Sequence, residues 1–151
     1  MDIGCGVGNS FYPLLEKKEK LIVKGFDISP KAVNMAKTHK LYDEKRINLI
    51  DLDIVTNEIP KDFHNADYSI LMFVLSAIMP IYHESVLTKI YNALNDGGIL
   101  YFRDYGRYDM TQLRFAKKNK SKIEDNLYMR HDKTLAYFFD KKEIENLFIK
   151  I

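Results

Sequence analysis

With Cys5 as its one cysteine, this 151-residue chain has no internal disulfide. No charged-then-apolar leader opens it, so a reducing, cytoplasmic setting is the default expectation. Its longest apolar run, 68–81, contains Ser69 and Ser76 and meets Pro80, short of the about 20 apolar residues a membrane helix needs. A soluble chain with no membrane partner is expected. Internal repeats and low-complexity linkers are lacking, and about 150 residues suffice for one domain that buries roughly 70% of its unfolded surface. His39, His64, His83 and His131 have no ligand spacing with one another or with cysteine, so no metal is expected. The triphosphate-binding pattern G-x-x-x-x-G-K-[ST] is also missing.

Glycine is scarce too, yet three of the seven fall at Gly4, Gly6 and Gly8 in the opening MDIGCGVGNS. A tight strand-to-helix turn would use one or two. Three within five residues point to a loop that a ligand approaches closely, just past a strand's carboxyl end. The dinucleotide fingerprint G-x-G-x-x-G does not fit, because a glycine comes one residue early and Asn9 stands where a small residue belongs. With Asp2 before it, the loop resembles the first motif of S-adenosylmethionine-dependent methyltransferases, whose glycines approach the cofactor's methionine and ribose.

Downstream, strands and helices alternate. Phe11, Leu14 and Leu15 recur at helical spacing after Ser10, which reads as an N-cap, with Pro13 in the first turn. A strand over 21–26 ends on Asp27, and Ser29-Pro30 opens the next helix. Asp27 lies 23 positions after Gly4, placed to accept both ribose hydroxyls. It could instead cap a helix, but Ser29 already fills that role. A strand over 47–52 closes in Asp51-Leu52-Asp53; one acid should face the adenine amino group with Leu52 beneath the ring, and Asp53 reads as a solvated loop acid. The run 68–75 is expected as a central strand buried on both faces, its end at 72–76 lining the methyl-donor side. Val86, Leu87, Ile90 and Leu94 form a helical stripe stopped by 95–98, a strand follows over 99–102, and Asp140 with Glu143 makes a capping box for a helix bearing Ile144, Leu147 and Phe148. The expected class is α/β: a Rossmann-like, mostly parallel sheet with right-handed crossovers.

Charge is local. Residues 103–133 hold nine Lys/Arg against five Asp/Glu, a net of +4, and the rest of the chain nets −2. Tyr105, Tyr108, Phe115 and Tyr128 are interleaved there with Arg103, Arg107, Arg114, Lys117, Lys118, Lys120, Lys122 and Arg130. Cations for phosphates with flat rings for bases suit single-stranded nucleic acid; a solvated lysine-rich loop with core aromatics suits the same composition.

Four stretches together resemble one family: DIGCGVGN at the start, FVLSAI at 73–78, RDYGRYDMTQLRF at 103–115 and NLYMRHDKTLAYFF at 126–139. They are similar to the methyltransferase-like tRNA 3-methylcytidine methyltransferases, and the RDYGRYDM block is the most specific. The resemblance implies methyl transfer to N3 of a cytosine in the tRNA anticodon loop, S-adenosyl-L-methionine as cofactor, tRNA as partner and room for an aminoacyl-tRNA synthetase-type accessory protein. It assigns cofactor contacts to Gly4, Asp27, Asp51, Leu52 and Met72, to which the glycine loop adds Gly6, and a place by the reacting base to Arg103-Asp104-Tyr105-Gly106. Against that family, in whose sheet the first strand is central between the second and fourth, the chain opens at the last residues of the first strand and stops before a final antiparallel pair. It therefore reads as a fragment with open edges on its second, fourth and fifth strands, a single domain over 1–151 with an RNA-binding insertion at 103–133.

Cytosine N3 has an in-plane lone pair and is neutral at pH 7, so attack on a sulfonium methyl needs alignment more than a general base. The product ring is cationic, and a fixed carboxylate beside it favours that developing charge. Asp104 is the candidate, with an ion pair to a nearby arginine as the plain alternative. Tyr105, Tyr108 or Phe115 could stack the unstacked base, and Arg107, Arg114 and Arg130 could hold phosphates. Attack at cytosine C5 would need a nucleophilic cysteine by the base, and Cys5 sits in the cofactor loop as a small packing residue. A small-molecule methyltransferase and a non-catalytic binding module are the rival readings.

Overall fold

A computed structural model describes residues 1–117 and 121–151. Lys118 and Lys120, counted above in the basic segment, lie outside the described residues. Five strands, β1 (Asp2–Ile3), β2 (Val23–Asp27), β3 (Ile47–Asp51), β4 (Ala66–Met72) and β5 (Leu94–Arg103), form a sheet in the order β3-β2-β1-β4-β5. β1 is parallel to both β2 and β4, and β2 is parallel to β3. This is the mostly parallel Rossmann-like sheet expected of the alternating pattern. β1 is the central strand, as expected, but it reaches only Gly25 and Phe26 on one side and Ile70 and Leu71 on the other. Met1 extends the contact slightly, its carbonyl accepting from the Ile70 N–H at 2.9 Å.

The chain divides into two compact units, one of residues 1–71 and 92–102 and the other of 72–91 and 103–151. In the first, helices α1 (Tyr12–Lys17) and α2 (Pro30–Lys37) build a core with the sheet from Cys5, Phe11, Tyr12, Leu15, Val23, Val33, Ala36, Ile47 and Leu49. Emptying one such position, as in Leu49→Ala, costs about 2–5 kcal/mol. α2 starts as its sequence dictates: Ser29 Oγ accepts from the Ala32 N–H and Pro30 takes the first helical position. α1 does not. Phe11, not Ser10, precedes it without a side-chain cap, and the Tyr12 N–H reaches the Gly8 carbonyl at 3.0 Å. Ser10 is drawn away by the Asp2 carboxylate, to which it hydrogen-bonds.

Two further expectations are corrected. β4 is not buried on both faces: Ser69 and Leu71 are, whereas Tyr68 and Met72 are exposed, because only one side of its apolar run is covered among the described residues. Nor does 95–98 stop a helix. Leu94 already begins β5, since pairing starts where the Ala66 N–H meets the Ala93 carbonyl and Gly97, at φ 75°, carries the strand onward.

The second unit contains α3 (His83–Asn92) up to Tyr91, then α4 (Met110–Ala116), an antiparallel sheet β6-β7-β8 (Lys122–Glu124, Leu127–Met129, Leu135–Tyr137) and α5 (Lys141–Ile149). α5 opens with the expected capping box, Asp140 accepting from the Lys142 N–H while Glu143 accepts from the Asp140 N–H. No helix among the described residues is long and apolar enough to cross a membrane.

Candidate functional site

In the first unit the glycine loop follows β1 directly, and its glycines have different tasks. A Cβ on Gly8, at φ 92°, would lie 2.4 Å from the Tyr12 ring and 2.8 Å from Phe11 Cζ. Gly8 thus lets the loop close against α1. A Cβ on Gly6, at φ 52°, meets nothing within 4 Å, so Gly6 borders open space that a ligand can enter. Gly4 shares the left-handed backbone at φ 66°.

The acid at the end of β2 holds this loop. Asp27 Oδ2 accepts from the Gly6 N–H at 2.8 Å, and Oδ1 accepts from the Ser29 N–H at 2.9 Å. A carboxylate offers about four acceptor directions, so roughly two remain, the number a ribose diol requires. Asp27 faces Asp51 across the β2–β3 ladder, and the Leu52 N–H donates to the Asp27 carbonyl at 2.9 Å. Asp51 is exposed. Asp53 is committed to its own turn, accepting from the Val55 N–H and the Thr56 hydroxyl.

Asp2 lies beneath the loop, 2% exposed, and its Oδ2 has no partner. Burial pushes its carboxyl up to about 7, against partial relief from Ser10. An orphaned buried acceptor, an open cradle at Gly6 and unused acceptor capacity on Asp27 fit a polar, cationic nucleoside-type cofactor such as S-adenosylmethionine. Cys5 supplies packing only: it is 3% exposed, and burial pushes its thiol up to about 12.

In the second unit Asp104 is clamped by two backbone amides. Its Oδ2 accepts from the Ser76 N–H at 2.9 Å and its Oδ1 from the Tyr105 N–H at 2.8 Å. Burial raises its pKa, opposed by these bonds and by the charge of Arg130. Around it runs a row of rings and cations. Arg103 lies 5.5 Å from the Phe73 centroid, Phe73 is 5.1 Å from Tyr105, and Arg130 lies 5.4 Å from Tyr105. The Tyr105–Arg107 backbone is pinned to Phe139 by two hydrogen bonds, Phe139 N–H to the Tyr105 carbonyl and Arg107 N–H to the Phe139 carbonyl.

Phe73 was expected only as part of a lining segment, and geometry singles it out. It is 42% exposed at φ 57°, a left-handed backbone that a bulky side chain rarely takes. Tyr108 is similar, 71% exposed at φ 68°, with Arg107 5.0 Å from its ring and its N–H held by Gln112 Oε1. Met72 is exposed at the end of β4, and Arg114 is exposed on α4. Phe115 and Tyr105 are both half-buried and pack against the same aromatic core: Tyr105 lies 5.4 Å from Phe138, and Phe115 stacks on Tyr128 at 5.8 Å and lies edge-on to Phe138. Among the described residues, no group of three or more His, Cys, Asp or Glu could hold a metal.

Residues 1–100 match the methyltransferase domain family, and the chain belongs to it. It is 42% identical over 151 residues to O-methyltransferase 3 of Dictyostelium discoideum, covering 98% of this chain and 35% of that protein. It is 40% identical over 150 residues to the tRNA N(3)-methylcytidine methyltransferase Mettl2 of Drosophila melanogaster, covering 97% of this chain and 46% of that one. The chain thus spans less than half the length of these two relatives. In structure it is similar to a SAM-dependent methyltransferase from Methanosarcina mazei, with a TM-score of 0.78 at 20% identity over 99% of this chain and 76% of that one.

Proposed function

We propose that this chain is the catalytic portion of an S-adenosylmethionine-dependent tRNA methyltransferase that forms 3-methylcytidine in the anticodon loop. The observation that carries the reading is Asp104, a carboxylate fixed by two amides beside the Arg103–Phe73–Tyr105–Arg130 row. The relative named for N(3)-methylcytidine supports the base and the atom.

Gly4, Gly6, Asp27, Asp51 and Leu52 would hold the cofactor, with Asp2 offering its unpartnered oxygen. When bound, the cofactor supplies an electrophilic methyl group on a sulfonium. The protein's part is position and charge. Phe73 and Tyr105 offer ring faces to an unstacked cytosine, while Arg103, Arg107, Arg114 and Arg130 offer cations to phosphates. Asp104 accepts from the N4 amino group and stabilises the positive charge that the ring gains as N3 takes the methyl group. The proposal places the protein in the cytoplasm with tRNA as partner, and an aminoacyl-tRNA synthetase-type accessory protein would appear as a factor that raises turnover.

A second reading, O-methylation, is favoured by the name of the Dictyostelium relative. A hydroxyl nucleophile must lose its proton, and Asp104 would then act as a base instead of a charge partner. Incubating the protein with labelled cofactor and tRNA, then digesting to nucleosides, separates the readings. Label in 3-methylcytidine supports the proposal; label in a ribose-methylated nucleoside or a small molecule overturns it. No cofactor binding by calorimetry leaves a non-catalytic module.

A further inference from the structure

Gln112 lies in the first turn of α4, is 7% exposed, and uses both ends of its side-chain amide. Its Oε1 accepts from the Tyr108 N–H at 2.5 Å, and its Nε2 donates to Asn126 Oδ1 at 3.1 Å. The orientation follows from the chemistry: a backbone N–H can only donate, so the amide oxygen must face Tyr108 and the NH2 group is left for Asn126. Asn126 sits between β6 and β7 at φ 64°, and its carbonyl accepts from the N–H of the buried Phe138 at 2.9 Å. Gln112 is a strut from the aromatic core to residue 108.

A helix cap alone does not require this. In a capping box the side chain three residues after the N-cap returns to the N-cap's own N–H. Asp109 is the N-cap of α4, yet its N–H goes to the Gly106 carbonyl at 3.3 Å, and Gln112 reaches one residue further, to Tyr108. Tyr108 holds left-handed backbone, at φ 68°, that Gly or Asn would adopt with less strain, and its exposed ring returns nothing to the core. The strained turn instead stands a ring beside a cation: Arg107 lies 5.0 Å from the ring centroid, with its own N–H on the Phe139 carbonyl at 2.9 Å. A ring face next to a cation suits an unpaired base and its phosphate.

We propose that Gln112 is a positioning residue for RNA: anchored on Asn126, it holds the Arg107–Tyr108 pair in the geometry that receives an unpaired nucleotide of the tRNA, without touching that nucleotide. The inference rests on the reading of tRNA as the substrate. Without the Gln112 oxygen the Tyr108 N–H loses its acceptor, the strained turn has less to hold it, and the ring must be ordered again each time RNA binds.

The test is a double-mutant cycle on the full chain, reading affinity for an unmodified tRNA transcript at fixed salt, with calorimetric binding of S-adenosylmethionine alongside. Gln112→Met keeps the length of the side chain and removes the acceptor; it should weaken tRNA binding about fivefold, the effect of roughly one hydrogen bond, with cofactor affinity unchanged. In a Tyr108→Ala background the same change should weaken it no further. Parental tRNA affinity in Gln112→Met, an equal loss with and without the Tyr108 ring, or cofactor affinity falling in step overturns the proposal, as does full tRNA affinity in Tyr108→Ala. Should Gln112→Met fail to fold, Asn126→Gly decides: it keeps the left-handed turn, cuts the far end of the strut, and should weaken tRNA binding only where Tyr108 is present. Parental affinity there also overturns the proposal. A parent chain that binds no tRNA removes the substrate reading and the inference with it. Cofactor label found in tRNA but outside 3-methylcytidine overturns the methylated atom assigned above and leaves the cycle standing.

Discussion

Gly6 and Gly8 both take left-handed backbone, yet alanine at the two positions should have opposite consequences. At Gly6 the new Cβ meets no atom within 4 Å, so the cost to folding is backbone strain of about 1–2 kcal/mol, partly offset by about 0.4–1 kcal/mol from a less flexible unfolded chain. A net loss near ~1 kcal/mol lowers the melting temperature by about 2–4 °C in a chain of this length. The methyl group would fill the space beside the loop, so cofactor affinity should fall at least tenfold. At Gly8 the methyl group lands 2.4 Å from the Tyr12 ring, which is itself held by its hydroxyl's bond to the Ala36 carbonyl. Overpacking adds about 1–3 kcal/mol to the same strain, for a total near ~2–4 kcal/mol. Denaturant titration of both variants, with calorimetric binding of S-adenosylmethionine, reads the two effects apart. Parental affinity in Gly6→Ala would show that the open space is not the cofactor's. Equal stability losses in the two variants would refute the packing argument.

Asp27→Ala should weaken cofactor binding by about 1–3 kcal/mol and loosen the loop, since it removes the acceptor of the Gly6 N–H; unchanged calorimetric affinity rejects the ribose role. Asp104→Asn should lower turnover on saturating tRNA with cofactor affinity nearly intact, and preserved turnover makes Asp104 structural. Arg107→Ala and Arg114→Ala should each weaken tRNA binding and flatten its salt dependence by about one unit of slope, whereas equal slopes take them off the RNA surface. Asp2 protonates near pH 7 when folded, above its ordinary value near 3.8, so the folded state binds the extra proton between those limits. Stability should therefore fall as pH rises through that window, by at most about 1.4 kcal/mol per pH unit, and Asp2→Asn should remove this slope. An unaltered slope in the variant assigns the titration elsewhere.

What was legible in the sequence was mostly local. Ser29-Pro30 opens α2, and Asp140 with Glu143 opens α5, because each cap is closed within four residues of chain. The glycine loop and the acid after β2 follow from spacing alone. The first strand's place between β2 and β4 came from the family resemblance. Less could be read where a residue's role depends on a partner far along the chain. Ser10 has the composition of an N-cap, but a buried carboxylate eight residues earlier competes for its hydroxyl. The strands β6, β7 and β8 are three residues each, too short for an alternation to register.

The aromatic residues of the basic segment make the same point with consequences for function. Tyr105, Tyr108, Phe115 and Tyr128 are equivalent in composition, and the structure sorts them by what their faces touch. Phe115 and Tyr128 stack on each other and against Phe138, where their rings stabilise the second unit's core. Tyr108 stands outside that core, and Phe73 from the preceding segment joins it as an exposed ring on left-handed backbone. Such backbone costs of order 1–3 kcal/mol and persists only where surrounding bonds hold it: Gln112 on the Tyr108 N–H, and the Arg103 carbonyl on the Phe73 N–H. A core ring gains nothing from that strain. An exposed ring beside a cation does if a flat ligand is to be stacked there, so the assay should rank Phe73→Ala and Tyr108→Ala by lost tRNA binding without lost stability. Phe115→Ala should destabilise the fold by about 3–5 kcal/mol at most, less for a half-buried ring. A stability loss in Phe73→Ala equal to that of Phe115→Ala would place Phe73 in the core after all.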